Sequence, residues 1–145
     1  MQPLQPDQVK HSFKVIYCSG EDPKYPVTEL LDPTVNSKGW QSEQFCQYPQ
    51  EIILQFAGTV YLSQLQFLSH QSKIASKIEL FTFNPQTMPA GASRLPLNQI
   101  QFQKLGFLTL NSNERSGFQA RELKSVTVNS QLALLKMLFH QNHEN

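Results

Sequence analysis

The sequence is poor in charge, cysteine, glycine and long apolar runs, and each shortage narrows what the chain can be. Charged residues make up 16% of the 145 residues, well below the usual quarter, and Lys+Arg minus Asp+Glu is 12 − 11 = +1. So small an excess excludes a polyelectrolyte that grips DNA or RNA by bulk charge, and no nucleic-acid partner is expected. It also argues against a disordered chain, which combines low hydrophobicity with high net charge. Apolar stretches such as Leu132–Leu135, Met137–Phe139 beyond Lys136, and Ile52–Leu54 are short. All fall far short of the roughly 18 residues a spanning helix needs, so no membrane insertion is expected. The N-terminus, Met-Gln-Pro-Leu-Gln-Pro-Asp-Gln, lacks the basic and apolar regions of a secretory signal. Cys18 and Cys46 are the two cysteines. They can pair in principle, but a domain of this size without a signal needs no bridge, and two free, buried thiols in a reducing compartment are expected.

What is present is a single domain's worth of chain, with 39% hydrophobic residues and a filling of uncharged polar ones, Gln above all. A chain this long buries roughly two-thirds of the surface its unfolded form exposes, enough for a core without staples. Met1–Lys10, with two prolines and three glutamines, reads as a flexible tail ahead of a folded unit over residues 11–145. Short extended runs then follow, cut by turn residues. Ser12–Cys18 alternates, and Gly20, Pro23 and Pro26 break it. Val27–Leu31 is a short second run that ends at Asp32-Pro33. Glu51–Phe56 follows Pro49 and is ended by Gly58, after which Thr59–Ser69 is rich in β-formers. Lys77–Phe83 alternates cleanly, with Ile78, Leu80 and Thr82 against Glu79, Phe81 and Phe83. Asn84–Asn98 is a loop, Phe102–Leu110 is a strand with Gly106 at a bulge, Asn111–Gly117 is a turn, and Glu122–Val128 alternates again. Seven or eight short strands without a strong amphipathic helix between them predict an all-β sandwich. Ser130–Gln141 is ambiguous: Leu132, Leu135 and Leu138–Phe139 fit a helical stripe, yet apolar residues on both faces also suit a buried central strand.

Chemistry is sparse. No glycine-rich phosphate loop, dinucleotide fingerprint or nucleophile elbow occurs. His140-x-x-His143 offers two imidazoles, but zinc takes three or four ligands and no Cys or carboxylate pair stands at a fitting spacing. Glu21, Asp22 and Asp32 are three loop carboxylates where calcium prefers six to eight oxygens. Cys46 with a histidine lacks an oriented third group and reads as a core thiol beside Phe45. Neither a metal nor a cofactor is expected, and no reaction class can be named. Trp40 reads as a loop anchor against the core rather than a ligand platform. The basic residues Lys73, Lys77, Arg94, Lys104, Arg115, Arg121 and Lys124 are scattered in sequence. They read as solvated surface unless folding gathers some of them into a patch.

Several strings are more specific than composition. They are Gly39-Trp40-x-Ser42-x-x-Phe45-Cys46-Gln47-x-Pro49-Gln50-Glu51-Ile52 and Leu65-Gln66-x-Leu68-x-His70-Gln71-x-x-Ile74-x-Ser76-Lys77-Ile78-Glu79. Later come Lys104-Leu105-Gly106-Phe107, Ala120-Arg121-Glu122-Leu123-Lys124-Ser125-Val126 and Phe139-His140-Gln141-Asn142-His143. In this order they closely resemble the N-terminal domain of the 104-kDa centrosomal protein family, over about Phe13 to His143. The resemblance implies a jelly-roll β-sandwich of the galactose-binding or discoidin type, and makes Leu132–His140 a strand. It implies a place in cytoplasm and cytoskeleton, at the ciliary tip or axoneme and at the centriole or basal body. Tubulin at microtubule ends and other ciliary-tip proteins are the implied partners. The family's tubulin-binding domain, coiled coil and zinc-finger segments lie beyond the matched region, so their residues are not carried over. In the family a further apolar strand follows the His-Gln-Asn-His string, so a fragment of a longer chain with an exposed edge is expected.

On this reading the chain is a non-catalytic protein-interaction domain, a rigid sandwich whose loops recognise a partner. The loops Gly39–Pro49, His70–Ser76, Asn111–Gly117 and His140–Asn145 are the candidate contact regions. Lys73, Lys77, Arg115 and Arg121 are candidate contacts to an acidic surface such as tubulin, with His70, His140 and His143 in the flanking loops. A small-molecule or glycan-binding jelly roll is the alternative from another class, and an enzyme is the weakest reading.

Overall fold

A computed structural model describes residues 10–21, 23, 26, 28, 30, 47–69, 77–87, 96–109 and 122–140. The described strands are β1 (Phe13–Cys18), β2 (Gln50–Ser69), β3 (Lys77–Phe83), β4 (Gln103–Thr109) and β5 (Glu122–Phe139), with short 3-10 turns at Pro85–Thr87 and Leu97–Gln99. They form one antiparallel sheet in the order β1-β2-β5-β3-β4, and no α-helix occurs among the described residues. Hydrophobic alternation explains the strands directly. On β3 the side chains of Ile78 and Leu80 are 2% and 1% exposed, while Lys77, Glu79 and Phe81 on the other face are only half-buried.

The ambiguous C-terminal segment is a strand. β5 lies between β2 and β3, pairing Leu135 with Leu54 on one side and with Thr82 on the other. A strand enclosed on both edges and covered on both faces carries apolar residues of either parity, which locally mimics a helical stripe. Tertiary pairing overrides the helix propensity of its Ala, Leu, Lys and Met.

Two expectations need correcting. Gly58 does not end a strand: Glu51–Phe56 and Thr59–Ser69 are one strand, β2, and Glu122–Val128 likewise continues through Leu132–Phe139 as β5. Between the pairs Gln55↔Leu134 and Val60↔Leu132, residues 56–59 of β2 face Ala133 alone. Gly58 takes φ 87° inside that bulge, where a side chain would be strained, so the extra residues are absorbed without breaking the ladder. A second irregularity near Leu62/Gln64 coincides with Asn129 at φ 48°, a left-handed conformation that Asn tolerates. The other correction concerns Val27–Leu31. Its described residues, Thr28 and Leu30, are in 3-10 conformation rather than extended. The bulge expected at Gly106 is present, since Leu80 pairs with Gly106 but Phe81 with Lys104.

One contiguous core takes residues from both halves of the β2–β5 ribbon. Ile52, Leu54, Phe56, Leu135 and Met137 lie on one side of the bulge, and Leu62, Val128 and Leu132 on the other, joined by Ile78, Leu80 and Leu108. Each such aliphatic side chain contributes about 1.5–3 kcal/mol by leaving water. Ile53, Phe83 and Leu134 are also buried, but the register puts them on the opposite face of the sheet. There Phe102 meets Phe83 edge-on, with ring centroids 6.3 Å apart. The end of β1 is tied to the start of β2 through Ser19. Its N–H donates to Glu51 O at 2.8 Å, its Oγ donates to Gln50 Oε1 at 2.8 Å, and it accepts from the Glu51 N–H at 2.8 Å. The Ser19 hydroxyl satisfies Gln50 Oε1, and Gln50 Nε2 donates to Gln47 O, so both ends of the one buried polar side chain among the described residues are paired.

Candidate functional site

The face of the sheet away from the main core carries a polar and aromatic cluster at one end. It is built on β3, β4 and the end of β5. Strand alternation places Lys77 and Glu79 on this face of β3. The pair Glu79↔Phe107 and the bulge at Gly106 place Phe107 and Lys104 of β4 beside them. His140 directly follows β5, and its N–H donates to Lys77 O at 2.9 Å, which fixes the imidazole over Glu79.

Glu79 is the hub. Its Oε1 lies 2.7 Å from His140 Nε2 and its Oε2 lies 3.1 Å from Lys104 Nζ. A carboxylate only accepts, so Nε2 carries the hydrogen and donates it. The Glu79 side chain is 16% exposed, against 56% for Lys104 and 31% for His140. The imidazole hydrogen bond, and after it the Lys104 ammonium, hold the Glu79 carboxyl below the usual carboxylate range. Lys77 Nζ sits 4.6 Å from the centroid of the Phe107 ring, a cation–π contact on one side of an aromatic that is still 59% exposed.

Further along the same face is a groove of about 340 Å³ lined by Tyr17, Glu51, Ile53, Leu97, Asn98, Ile100, Phe102 and Lys136. Lys136 is held between two rings, 4.9 Å from the Phe81 centroid and 4.8 Å from that of Phe102, and it reaches Glu51 at 4.0 Å. Its ammonium thus pins the 96–102 segment to the sheet.

Of the residues singled out from sequence, Lys77 and His140 come together in this cluster, and Lys104 joins them. Lys73, Arg115, Arg121, His70 and His143 lie outside the described residues, as do Trp40, Cys46, Asp22, Asp32 and Arg94. The loops His70–Ser76 and Asn111–Gly117 also fall outside them, and so does most of Gly39–Pro49. Cys18 packs against the main core but is half-buried rather than fully buried, and its thiol donates to Gly20 O at 3.1 Å. Glu79 and Phe107 were not singled out as site residues. The clean alternation of Lys77–Phe83 does place Glu79 on the polar face, but nothing local announces that a residue 61 positions away will hydrogen-bond to it.

Comparison with known proteins agrees with this architecture. The sequence profile of "Centrosomal protein CEP104, N-terminal domain" matches residues 39–145. Centrosomal protein of 104 kDa from Homo sapiens is 40% identical over 136 residues, which is 94% of this chain and 14% of that protein. Its Mus musculus counterpart is 39% identical over the same length and shares. The chain therefore spans about 14% of the length of the curated relatives it matches. Among solved structures, the family 32 CBM of C. perfringens NanJ in complex with galactose superposes with a TM-score of 0.66 at 14% identity, covering 91% of this chain and 85% of that one. Reduced XRCC1 bound to the DNA pol beta catalytic domain gives 0.67 at 14% identity, covering 90% and 86%. The long antiparallel strands, the absence of α-helix among the described residues and these likenesses establish a jelly-roll β-sandwich of the galactose-binding, discoidin-like type, and the chain belongs to the family of the centrosomal protein CEP104 N-terminal domain.

Proposed function

We propose that this chain is a non-catalytic protein-interaction module of a centrosomal, microtubule-associated protein, and that it helps dock that protein at the distal ends of ciliary microtubules. The fold alone does not choose this function, because its solved likenesses include one complex with galactose and one with a protein. The observation that carries the proposal is the convergence of Lys77, Lys104, Phe107 and His140 around Glu79 on the outer face of a rigid sheet. An exposed ammonium, Lys104, and a half-buried one, Lys77, beside an exposed aromatic ring suit recognition of a macromolecular surface. They suit acid–base chemistry poorly. A carboxylate already engaged by an ammonium and an imidazole, with its proton affinity lowered, is a weak general base.

The test is co-sedimentation of the chain with microtubules, together with localisation of a fluorescent fusion in ciliated cells. Sedimentation or tip enrichment that falls when Lys73 and Lys77 are both changed to Glu supports the proposal. Distribution indistinguishable from a fluorophore alone refutes it. The groove beneath Tyr17 and Phe102 favours a second reading, a small-molecule or glycan site, because it sets aromatic rings beside Asn98 and Glu51. Saturable binding on a glycan array, lost in Phe102→Ala, would select that reading instead.

A further inference from the structure

We infer that the cluster on β3, β4 and the end of β5 is a docking site for an acidic protein segment bearing an apolar or aromatic side chain, and that Glu79 acts within it as a built-in competitor for the cations. The inference rests on the interaction-module reading above and specifies the chemistry of the partner.

Phe107 is the most exposed large hydrophobic side chain among the described residues, at 59%. A single exposed aromatic is ordinary on a protein surface. This one is distinguished by what surrounds it. Lys77 Nζ lies over its ring at 4.6 Å, its cross-strand neighbour is Glu79, and the Lys104 side chain on its own strand is 56% exposed. Two lysines stand against one carboxylate, so the cluster carries a charge of 2 − 1 = +1 before any proton on His140 is counted. Glu79 is committed to His140 and Lys104 through its two oxygens and cannot balance both lysines at once. The complementary partner is negative, with one apolar group to cover the open part of the Phe107 ring. Such a segment also meets a pre-organised surface, because Lys77, Glu79, Lys104 and Phe107 stand on paired strands and His140 directly follows one.

Glu79 gives the inference a signature that general stickiness lacks. Its carboxylate repels an incoming acidic group and draws Lys104 toward itself. Glu79→Gln keeps an acceptor for His140 but removes the charge, so it should tighten acidic-segment binding. A unit charge a few ångströms away in a water-like dielectric corresponds to about fivefold in affinity.

The experiment uses the whole chain and a fluorescein-labelled peptide with a central phenylalanine between short runs of glutamate, read by fluorescence anisotropy. Its controls are the same peptide with alanine at the centre and the same peptide with lysines for glutamates. The expected result is saturable binding of the acidic phenylalanine peptide, weakened by raising the salt. Binding weakens about tenfold or more in Lys104→Glu and tightens about fivefold in Glu79→Gln, by the same charge arithmetic. In Phe107→Ser the preference for phenylalanine over alanine disappears. Unchanged circular dichroism in each variant shows that the fold is retained. No saturable binding, equal binding of the lysine peptide, or an affinity indifferent to both Phe107→Ser and Glu79→Gln overturns the inference. Microtubule co-sedimentation of the same preparations separates the two readings. If sedimentation persists while the peptide fails to bind, only the present inference falls, and if both fail, the module reading falls with it.

Discussion

Truncating Leu135 to alanine tests the central position of β5 and with it the register of the whole sheet. Leu135 is 0% exposed, belongs to the main core cluster, and pairs with Leu54 on β2 and Thr82 on β3. Leu→Ala changes in cores cost about 2–5 kcal/mol, the larger values where the surroundings cannot collapse into the cavity. Here hydrogen-bonded strands hold the backbone on both sides, so the upper half of that range is expected, about 3–4 kcal/mol. With a urea slope of about 2 kcal/mol per molar, the unfolding midpoint should fall by roughly 1.5–2 M. The melting temperature should fall by about 6–16 °C at roughly 2–4 °C per kcal/mol. Lys136→Ala is the internal comparison. Lys136 lies on the opposite face with its side chain 23% exposed, and it loses two cation–π contacts and some stem packing, about 1–2 kcal/mol in all. Met137, 4% exposed and two residues on, should respond like Leu135. A helix carrying the stripe Leu132, Leu135 and Phe139 would leave Met137 off that stripe. If Leu135→Ala costs less than about 1 kcal/mol, or if Met137→Ala is cheap while Leu135→Ala is costly, β5 is not the enclosed strand described here.

Two further predictions follow from the backbone and from the Glu79 hub. Gly58 has φ 87° and open space within 4 Å of where a Cβ would stand, so Gly58→Ala should cost about 1–2 kcal/mol in urea unfolding through backbone strain alone, and Gly58→Asn less; equal stability of all three proteins would contradict the bulge. The folded-state pKa of Glu79 is held below its unfolded value, first by His140 and then by Lys104. Its contribution to stability is therefore fully present above the ordinary carboxylate range and is lost as the pH falls through the lowered value. Glu79→Gln should flatten the acid limb of a stability-versus-pH curve, whereas an identical acid limb in both proteins would show that the hub is not formed in solution.

Much of this molecule is written locally. The alternation over Lys77–Phe83 gives β3 with its bounds and its two faces, because burying one side of a pleated ribbon imposes period two on the residues themselves. The short alternating runs and their turn punctuation point to a sandwich in the same way, and the ordered motif strings point to the family. Three features were beyond local pattern. Gly58 reads as a strand end because glycine punctuates chains, and only the uninterrupted partner strand shows that it lies in a bulge. The segment of Leu132–Phe139 carries apolar residues of both parities, so its periodicity leaves strand and helix open; the family resemblance points to a strand, and enclosure by β2 and β3 is the physical reason it is one. Lastly, Lys77 and Glu79 meet His140 and Lys104 only because β3 is flanked by both β4 and β5. Periodicity is set by each residue's own burial, whereas which strands become neighbours is decided by non-local packing across long connections. Sequence alone therefore determined the all-β class and the two faces of cleanly alternating strands such as β3, and tertiary pairing decided how far β2 and β5 run and which charges and rings share a surface.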